Sequence, residues 1–138
     1  MAKMNLARES SQKKLSFNGH GGGGILVVED DPDIRDTFRE VLEAEGYRVS
    51  TAANGQEGLE RLEEIRRPCL ILLDLMMPVM SGPEFLAAMR QKDGLGPVPV
   101  VIVSAWPDEA EKTEGAQGFM AKPVNLERLL ALVQQYCA

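Results

Sequence analysis

The sequence predicts an α/β fold with a parallel sheet covered on both faces, and three observations carry that expectation. Short runs of apolar, largely branched residues, Ile25-Leu-Val-Val28, the Leu-Ile-Leu-Leu that follows Cys69, and the Val-Val-Ile-Val that follows Pro99, have strand length and lack the polar alternation of a half-solvated sheet. Stretches with helical spacing of apolar residues separate these runs. Each run stops at polar or charged chemistry, namely Glu29-Asp30-Asp31, Asp74 and Ser104, which is where ligands sit in open parallel sheets.

Taken in order, Ile25 to Val28 is the first strand, and Pro32 opens a helix whose stripe is Ile34, Phe38, Val41 and Leu42, with Gly46 as its stop. Tyr47 to Thr51 alternates as a short second strand. Asn54, with Glu57 three residues later, has the spacing of a capping box for a second helix, which buries Leu59, Leu62 and Ile65 and is ended by Pro68. The third strand runs from Cys69 to Asp74. Ser81-Gly-Pro-Glu84 then marks a helix start, with Ser81 or Gly82 as the cap; that helix buries Phe85, Leu86 and Met89 and gives out at Gly94. Pro99 to Val103 is the fourth strand, Asp108 to Glu114 is short and charged, Gly118 to Ala121 is the fifth strand, and a last helix from Asn125 carries Leu126, Leu129, Leu130 and Val133 on one face. Strands alternating with helices require right-handed crossovers, giving a doubly wound three-layer sandwich of five parallel strands with the flavodoxin-like order 2-1-3-4-5.

The chain has 138 residues, 44% of them apolar and 26% charged, which suits one folded domain and excludes a disordered or membrane-spanning class. Residues 1 to 24 have no apolar periodicity and end in His20 and four glycines, so they read as a flexible arm, a linker or an expression remnant, and residues 25 to 138 as the domain. The glycine run is no phosphate-binding loop, since no Gly-Lys-Ser/Thr follows it, and His20 reads as a solvated linker residue. The arm carries +3 from Lys3, Arg8, Lys13 and Lys14 against Glu9, which leaves −9 of the net −6 on the domain, an acidic body that argues against direct nucleic-acid binding. With no secretory signature the expectation is a cytoplasmic protein away from membranes, whose two cysteines, Cys69 and Cys137, are free thiols.

In the predicted strand order the first and third strands are neighbours at the switch point, so Glu29, Asp30 and Asp74 converge, joined by Ser104 and Lys122 from the fourth and fifth strands. Three clustered carboxylates must share protons or hold a cation, and hard oxygen ligands suit Mg2+. A carboxylate nucleophile beside Mg2+, a lysine and a hydroxyl is suited to phosphoryl transfer onto aspartate. Taken singly these residues have ordinary explanations: the acidic triplet caps a helix, Lys122 is a surface lysine, and Ser104 is a turn residue. Their coincidence at one sheet edge favours the chemistry.

On these motifs residues 25 to 138 resemble the receiver domain of two-component response regulators. The resemblance implies that Asp74 is the phosphoacceptor for a phosphohistidine donor, either a histidine kinase or a histidine phosphotransfer protein. It implies that Asp30, Asp74 and the main-chain carbonyl of Met76 bind Mg2+, with Glu29 acting through water. It implies further that Ser104 and Phe119 are switch residues, that Lys122 contacts the phosphoryl group, and that the Lys122-Pro123 bond is cis. The expected role is a phosphoacceptor rather than an enzyme, passing its state to a downstream partner, with partner choice carried by the first helix at Arg35 and Phe38. Two departures stand out. The Ser104 to Lys122 stretch is short, so the fourth helix is stunted or irregular, and the positions that tune phosphoryl lifetime hold the bulky Met76 and Trp106. Two other functions remain to be distinguished: a non-phosphorylated binding scaffold, and an aspartyl-nucleophile phosphohydrolase, many of which carry a second Asp where Met76 stands.

Overall fold

Five strands, β1 (Ile25–Val28), β2 (Val49–Ala52), β3 (Leu70–Asp74), β4 (Val100–Ser104) and β5 (Gly118–Ala121), form one parallel sheet in the order 2-1-3-4-5. The structure is a computed structural model and describes residues 24–65, 67–92 and 94–137. The predicted arm, with His20, Lys3, Arg8, Glu9, Lys13 and Lys14, lies outside the described residues. The helices are α1 (Pro32–Ala44), α2 (Gly55–Glu64), α3 (Gly82–Arg90), α4 (Pro107–Glu111) and α5 (Leu126–Cys137). None of the described helices is long and apolar enough to cross a membrane.

Every residue of β1, β3 and β4 is buried, which is why these strands read as unbroken apolar runs. Successive side chains go to opposite faces. Leu26, Val28, Ile71, Leu73, Val100 and Ile102 meet α2 and α3 at Leu62, Phe85 and Met89. Ile25, Val27, Leu70, Leu72, Val101 and Val103 meet α1 and α5 at Phe38, Leu42, Leu129 and Val133. The two apolar layers clamp the sheet, so that its strand ends point in fixed directions.

The helix starts follow local chemistry. The Asp31 carboxylate accepts hydrogen bonds from the amides of Asp33 and Ile34 at 2.9 and 3.3 Å, and Pro32 fills the first turn. Ser81 and Glu84 cap α3 reciprocally, the Ser81 amide donating to Glu84 Oε1 at 2.9 Å and the Glu84 amide to Ser81 Oγ at 3.3 Å. The box at Asn54 is half formed: its side chain accepts from the Glu57 amide at 2.9 Å, but Glu57 reaches back to the Ala53 amide at 2.7 Å. Asn125 caps α5 from outside, accepting from the Arg128 amide at 3.0 Å. As expected from the short Ser104 to Lys122 stretch, α4 has only five residues.

Three expectations are corrected. Cys69 and Cys137 are joined in a disulfide, their Cα atoms 5.4 Å apart across a sequence separation of 68, because the last turn of α5 packs at the start of β3. Reading their compartment rather than their geometry gave free thiols. Phe38 is not a surface determinant, being only 3% exposed, since the stripe that includes it faces the sheet. β2 begins at Val49 rather than Tyr47, because the chain is still turning out of α1, with the Tyr47 amide donating to the Leu42 carbonyl.

Candidate functional site

Parallel pairing fixes which strand ends meet. β1 and β3 are in register from Ile25 with Leu70 to Val28 with Leu73, so Glu29 and Asp30 emerge beside Asp74. β4 pairs Val103 with Asp74, and β5 pairs Ala121 with Ser104, which delivers Lys122 to the same edge. One carboxylate oxygen from each of Glu29, Asp30 and Asp74 lies within 4.8 Å of the others. Glu29 and Asp74 are buried and Asp30 is exposed, so the cluster opens to solvent on one side only.

Lys122 balances part of this charge. Its Nζ lies 2.9 Å from Glu29 Oε1 and 3.5 Å from Asp74 Oδ1. Burial opposes the ammonium charge, but Glu29 and Asp74 outweigh it and hold the Lys122 pKa above its ordinary value. Asp74 behaves oppositely. Burial, the Asp30 side chain and the Glu29 charge push its carboxyl up to about 7, with Lys122 pulling the other way. One lysine therefore does not neutralise the site. Glu29 Oε1 is buried, and its partner is the Lys122 ammonium, which it shares with Asp74. A divalent cation fits that donor set: hard oxygens from three carboxylates, in excess of the positive charge present.

The remaining predicted residues fall around this centre. Ser104 is buried, and its Oγ accepts from the Trp106 amide at 2.8 Å. Met76 and Trp106 stand 61% and 58% exposed on the loops after β3 and β4, and Phe119, at 37% exposed, sits on β5 at the flank of the sheet. The Lys122-Pro123 peptide is cis, as the resemblance implied. Arg35 turns back to the site edge, its guanidinium donating to the Glu29 main-chain oxygen at 2.8 Å, while the Asp31 amide donates to Glu29 Oε2 at 3.1 Å. These two supports of Glu29 were not foreseen.

Gly82 is a further residue whose role the sequence left open. Ser81 is the cap, and Gly82 instead permits close approach: a Cβ there would lie 2.6 Å from the Asp74 carbonyl oxygen and 2.9 Å from Leu75 Cα. The same loop reverses at Val79, whose φ of 70° is strained for a β-branched residue, with the Met80 amide donating to the Pro78 carbonyl at 2.7 Å. Gly82→Ala is expected to cost about 2 kcal/mol, because backbone rather than a flexible side chain must move. Urea unfolding midpoints would check this, and an unchanged midpoint would show that the loop yields freely.

Comparison with known proteins agrees with this geometry. Residues 25–134 match the response regulator receiver domain. The polar-differentiation response regulator DivK of Brucella anthropi is 31% identical over 116 residues, which covers 81% of this chain and 94% of DivK. The chemotaxis protein CheY4 of Vibrio cholerae superposes with a TM-score of 0.74 at 34% identity, covering 81% of this chain and 96% of that one. The response regulator TrrA of Thermotoga maritima, solved in complex with Mg2+ and BeF, superposes with a TM-score of 0.73 at 31% identity, with the same two coverages. Other relatives are longer, and the chain spans half of their length or less. With the fold, the strand-end chemistry and the family match in agreement, the chain belongs to the response regulator receiver domains of two-component signalling systems.

Proposed function

We propose that Asp74 accepts a phosphoryl group from a phosphohistidine donor, a histidine kinase or histidine phosphotransfer protein, and that the modified site alters binding to a downstream partner. The observation that carries this reading is the convergence of Glu29, Asp30 and Asp74 within 4.8 Å, with the Lys122 ammonium 3.5 Å from the Asp74 carboxylate. Asp30, Asp74 and the Met76 main-chain carbonyl would hold Mg2+, with Glu29 engaged through water. When bound, the ion neutralises the charge on the transferring phosphoryl group. Asp74, fixed at the end of a fully buried strand, is the nucleophile. Lys122 supplies a compact positive charge to a phosphoryl oxygen. The Ser104 hydroxyl, accepting from the Trp106 amide, keeps its own proton free to donate. Ser104 and Phe119 then report the state of Asp74 to the surface by shifting populations. The donor would approach over α1 and the turn into α5, where a cleft of about 230 Å³ is lined by Ile34, Thr37, Lys122 and Val124.

The test is intact mass after incubation with acetyl phosphate and Mg2+, comparing the parent chain with Asp74→Asn and following Trp106 fluorescence. A gain of one phosphoryl group in the parent chain alone supports the assignment. No gain and no Mg2+ binding would leave the binding scaffold, and many rapid turnovers of acetyl phosphate would restore the phosphohydrolase.

Two further outcomes follow from the site. In the metal-free protein the folded state holds the Asp74 proton more tightly than the unfolded chain, whose carboxyl titrates near 3.8, so this contribution to stability is present below about pH 4 and lost as pH rises toward about 7. Mg2+ takes the place of that proton, so it is expected to raise the melting temperature strongly at pH 8 and weakly at pH 5, and equal shifts would contradict a metal held by these carboxylates. Met76 and Trp106, two residues beyond Asp74 and Ser104, would screen a phosphoryl group on Asp74 from water. Replacing both with serine is expected to speed loss of the phosphoryl group roughly tenfold by admitting in-line water. Unchanged decay kinetics would remove them from that role.

A further inference from the structure

Both cysteines of the chain are used at the edge of the sheet opposite Asp74. Cys69 immediately precedes β3, and Asp74 closes that strand five residues later, about 17 Å away. Cys137 is the last residue of α5 and is 1% exposed, packed with Ile25, Leu70 and Val133, whereas Cys69 is only partly buried. We propose that this pair is a reversible thiol–disulfide switch, closed by a low-molecular-weight disulfide and opened by a low-molecular-weight thiol, which locks or releases the C-terminal turn of α5 on β3.

The fold suits both states. With Cα atoms 5.4 Å apart, the bond closes without backbone movement. In the reduced state the Cys69 thiol has an acceptor ready, since its Sγ lies 3.4 Å from the Gly24 carbonyl oxygen. The Cys137 thiol rests among aliphatic side chains, where a thiol packs as a small hydrophobe. Reduction therefore strands no polar group. Nor does α5 depend on the bond for its place, because Leu129 and Val133, both fully buried, hold the helix to the sheet. The cross-link is an addition to a helix already seated, and its effect concentrates on the last turn.

Unequal exposure sets the order of the chemistry. The Cys69 thiolate attacks one sulfur of the small disulfide, breaking its S–S bond and releasing one small thiolate. The Cys137 thiolate then attacks Cys69 Sγ in the mixed disulfide and displaces the second small thiolate. The two protons leaving the cysteines are taken up by the two departing thiolates, so two protein thiols are oxidised as one small disulfide is reduced to two thiols. Reduction runs the same steps backwards.

The test equilibrates the folded chain in glutathione buffers from fully reduced to fully oxidised, stops exchange with acid, alkylates with N-ethylmaleimide, and counts labels by intact mass. Alkylation follows unfolding of the quenched sample at neutral pH, so that buried Cys137 is reached. The expected result is two labels at the reduced end and none at the oxidised end, reversibly, with the glutathione adduct accumulating in Cys137→Ala rather than in Cys69→Ala. Amides in the last turn of α5 should exchange with deuterium at least tenfold faster in the reduced form, and reduction should lower the melting temperature by about 10 °C. The double variant, with alanine at both positions, should show the fast exchange in every buffer. No labels at any buffer ratio unless denaturant is present during the equilibration itself would overturn the proposal in favour of a fixed structural bond. Two labels in oxidised glutathione would reduce it to neighbouring thiols that do not pair, and identical α5 exchange in both forms would remove the lock.

Discussion

Asp74→Asn is expected to take up no phosphoryl group and, without metal at pH 8, to be more stable than the parent chain by about 2 kcal/mol, or about 8 °C in melting temperature. The loss of uptake follows from the nucleophile, since a neutral carboxamide does not attack phosphorus. The gain in stability follows from the surroundings. Asp74 is 4% exposed and sits among Glu29 and Asp30, so burial and like charge raise its pKa to about 7 and its ionisation at pH 8 opposes folding. A displacement of that size, with the Lys122 attraction already in it, corresponds to roughly 4 kcal/mol, and about half is expected because the carboxamide that replaces the carboxylate must itself be desolvated. The advantage should shrink on acidification, as the parent carboxyl regains its proton, and reverse with saturating Mg2+, which the parent chain binds better. Urea unfolding at pH 5 and pH 8, with and without Mg2+, separates these terms. A variant less stable than the parent chain under all four conditions would mean that the Asp74 charge contributes to the fold rather than straining it.

That strain is legible in the sequence. The runs ending at Val28, Leu73 and Val103 are apolar without interruption because both faces of their strands are covered, and such strands leave only their ends free for polar work. Strand order 2-1-3-4-5 then needs only the alternation of strand and helix, and it brings Glu29, Asp30, Asp74, Ser104 and Lys122 together without any contact having to be guessed. Pro32 marked a helix start by its fixed φ, and Ser81 and Asn125 did so through hydrogen bonds made within a few residues, the range over which sequence is most informative.

What escaped depends on distance or on packing. The Cys69–Cys137 bond joins residues 68 apart, and its formation depends on where α5 ends over the sheet, which no local pattern encodes. Phe38 belonged visibly to the inner stripe of α1, and at 3% exposed it offers a partner little more than an edge at the floor of the cleft beside Lys122. Gly82 carried a cap-like signature that concealed its actual constraint, the passage of the Asp74 carbonyl within a Cβ radius. The supports of Glu29, the Asp31 amide and the Arg35 guanidinium, come from the residue two positions on and from the next turn of chain, yet nothing in the sequence distinguishes them from an ordinary helix cap and a surface arginine.

Lys122→Ala is expected to have the opposite effect to Asp74→Asn and to expose the same balance from the other side. The Lys122 side chain is 18% exposed and pairs with Glu29 at 2.9 Å and Asp74 at 3.5 Å. Truncation leaves two buried carboxylates facing Asp30 with no cation. Removing one partner of a buried ion pair costs about 3–5 kcal/mol. Here a proton on Asp74 relieves part of that penalty, so a loss of about 2 kcal/mol is expected at pH 8 without metal, smaller at pH 5 but not abolished, because Glu29 still lacks its partner. Mg2+ supplies the missing charge, so its stabilising effect should be larger in the variant than in the parent chain. The response to phosphorylation should fail nevertheless, because a cation that neutralises the carboxylates does not replace an ammonium aimed at a phosphoryl oxygen. Thus the Trp106 fluorescence change on addition of acetyl phosphate should disappear while Mg2+ binding persists. Equal destabilisation at pH 5 and pH 8, insensitive to Mg2+, would instead identify the apolar stem of the lysine as the part that matters, since packing of methylene groups does not titrate.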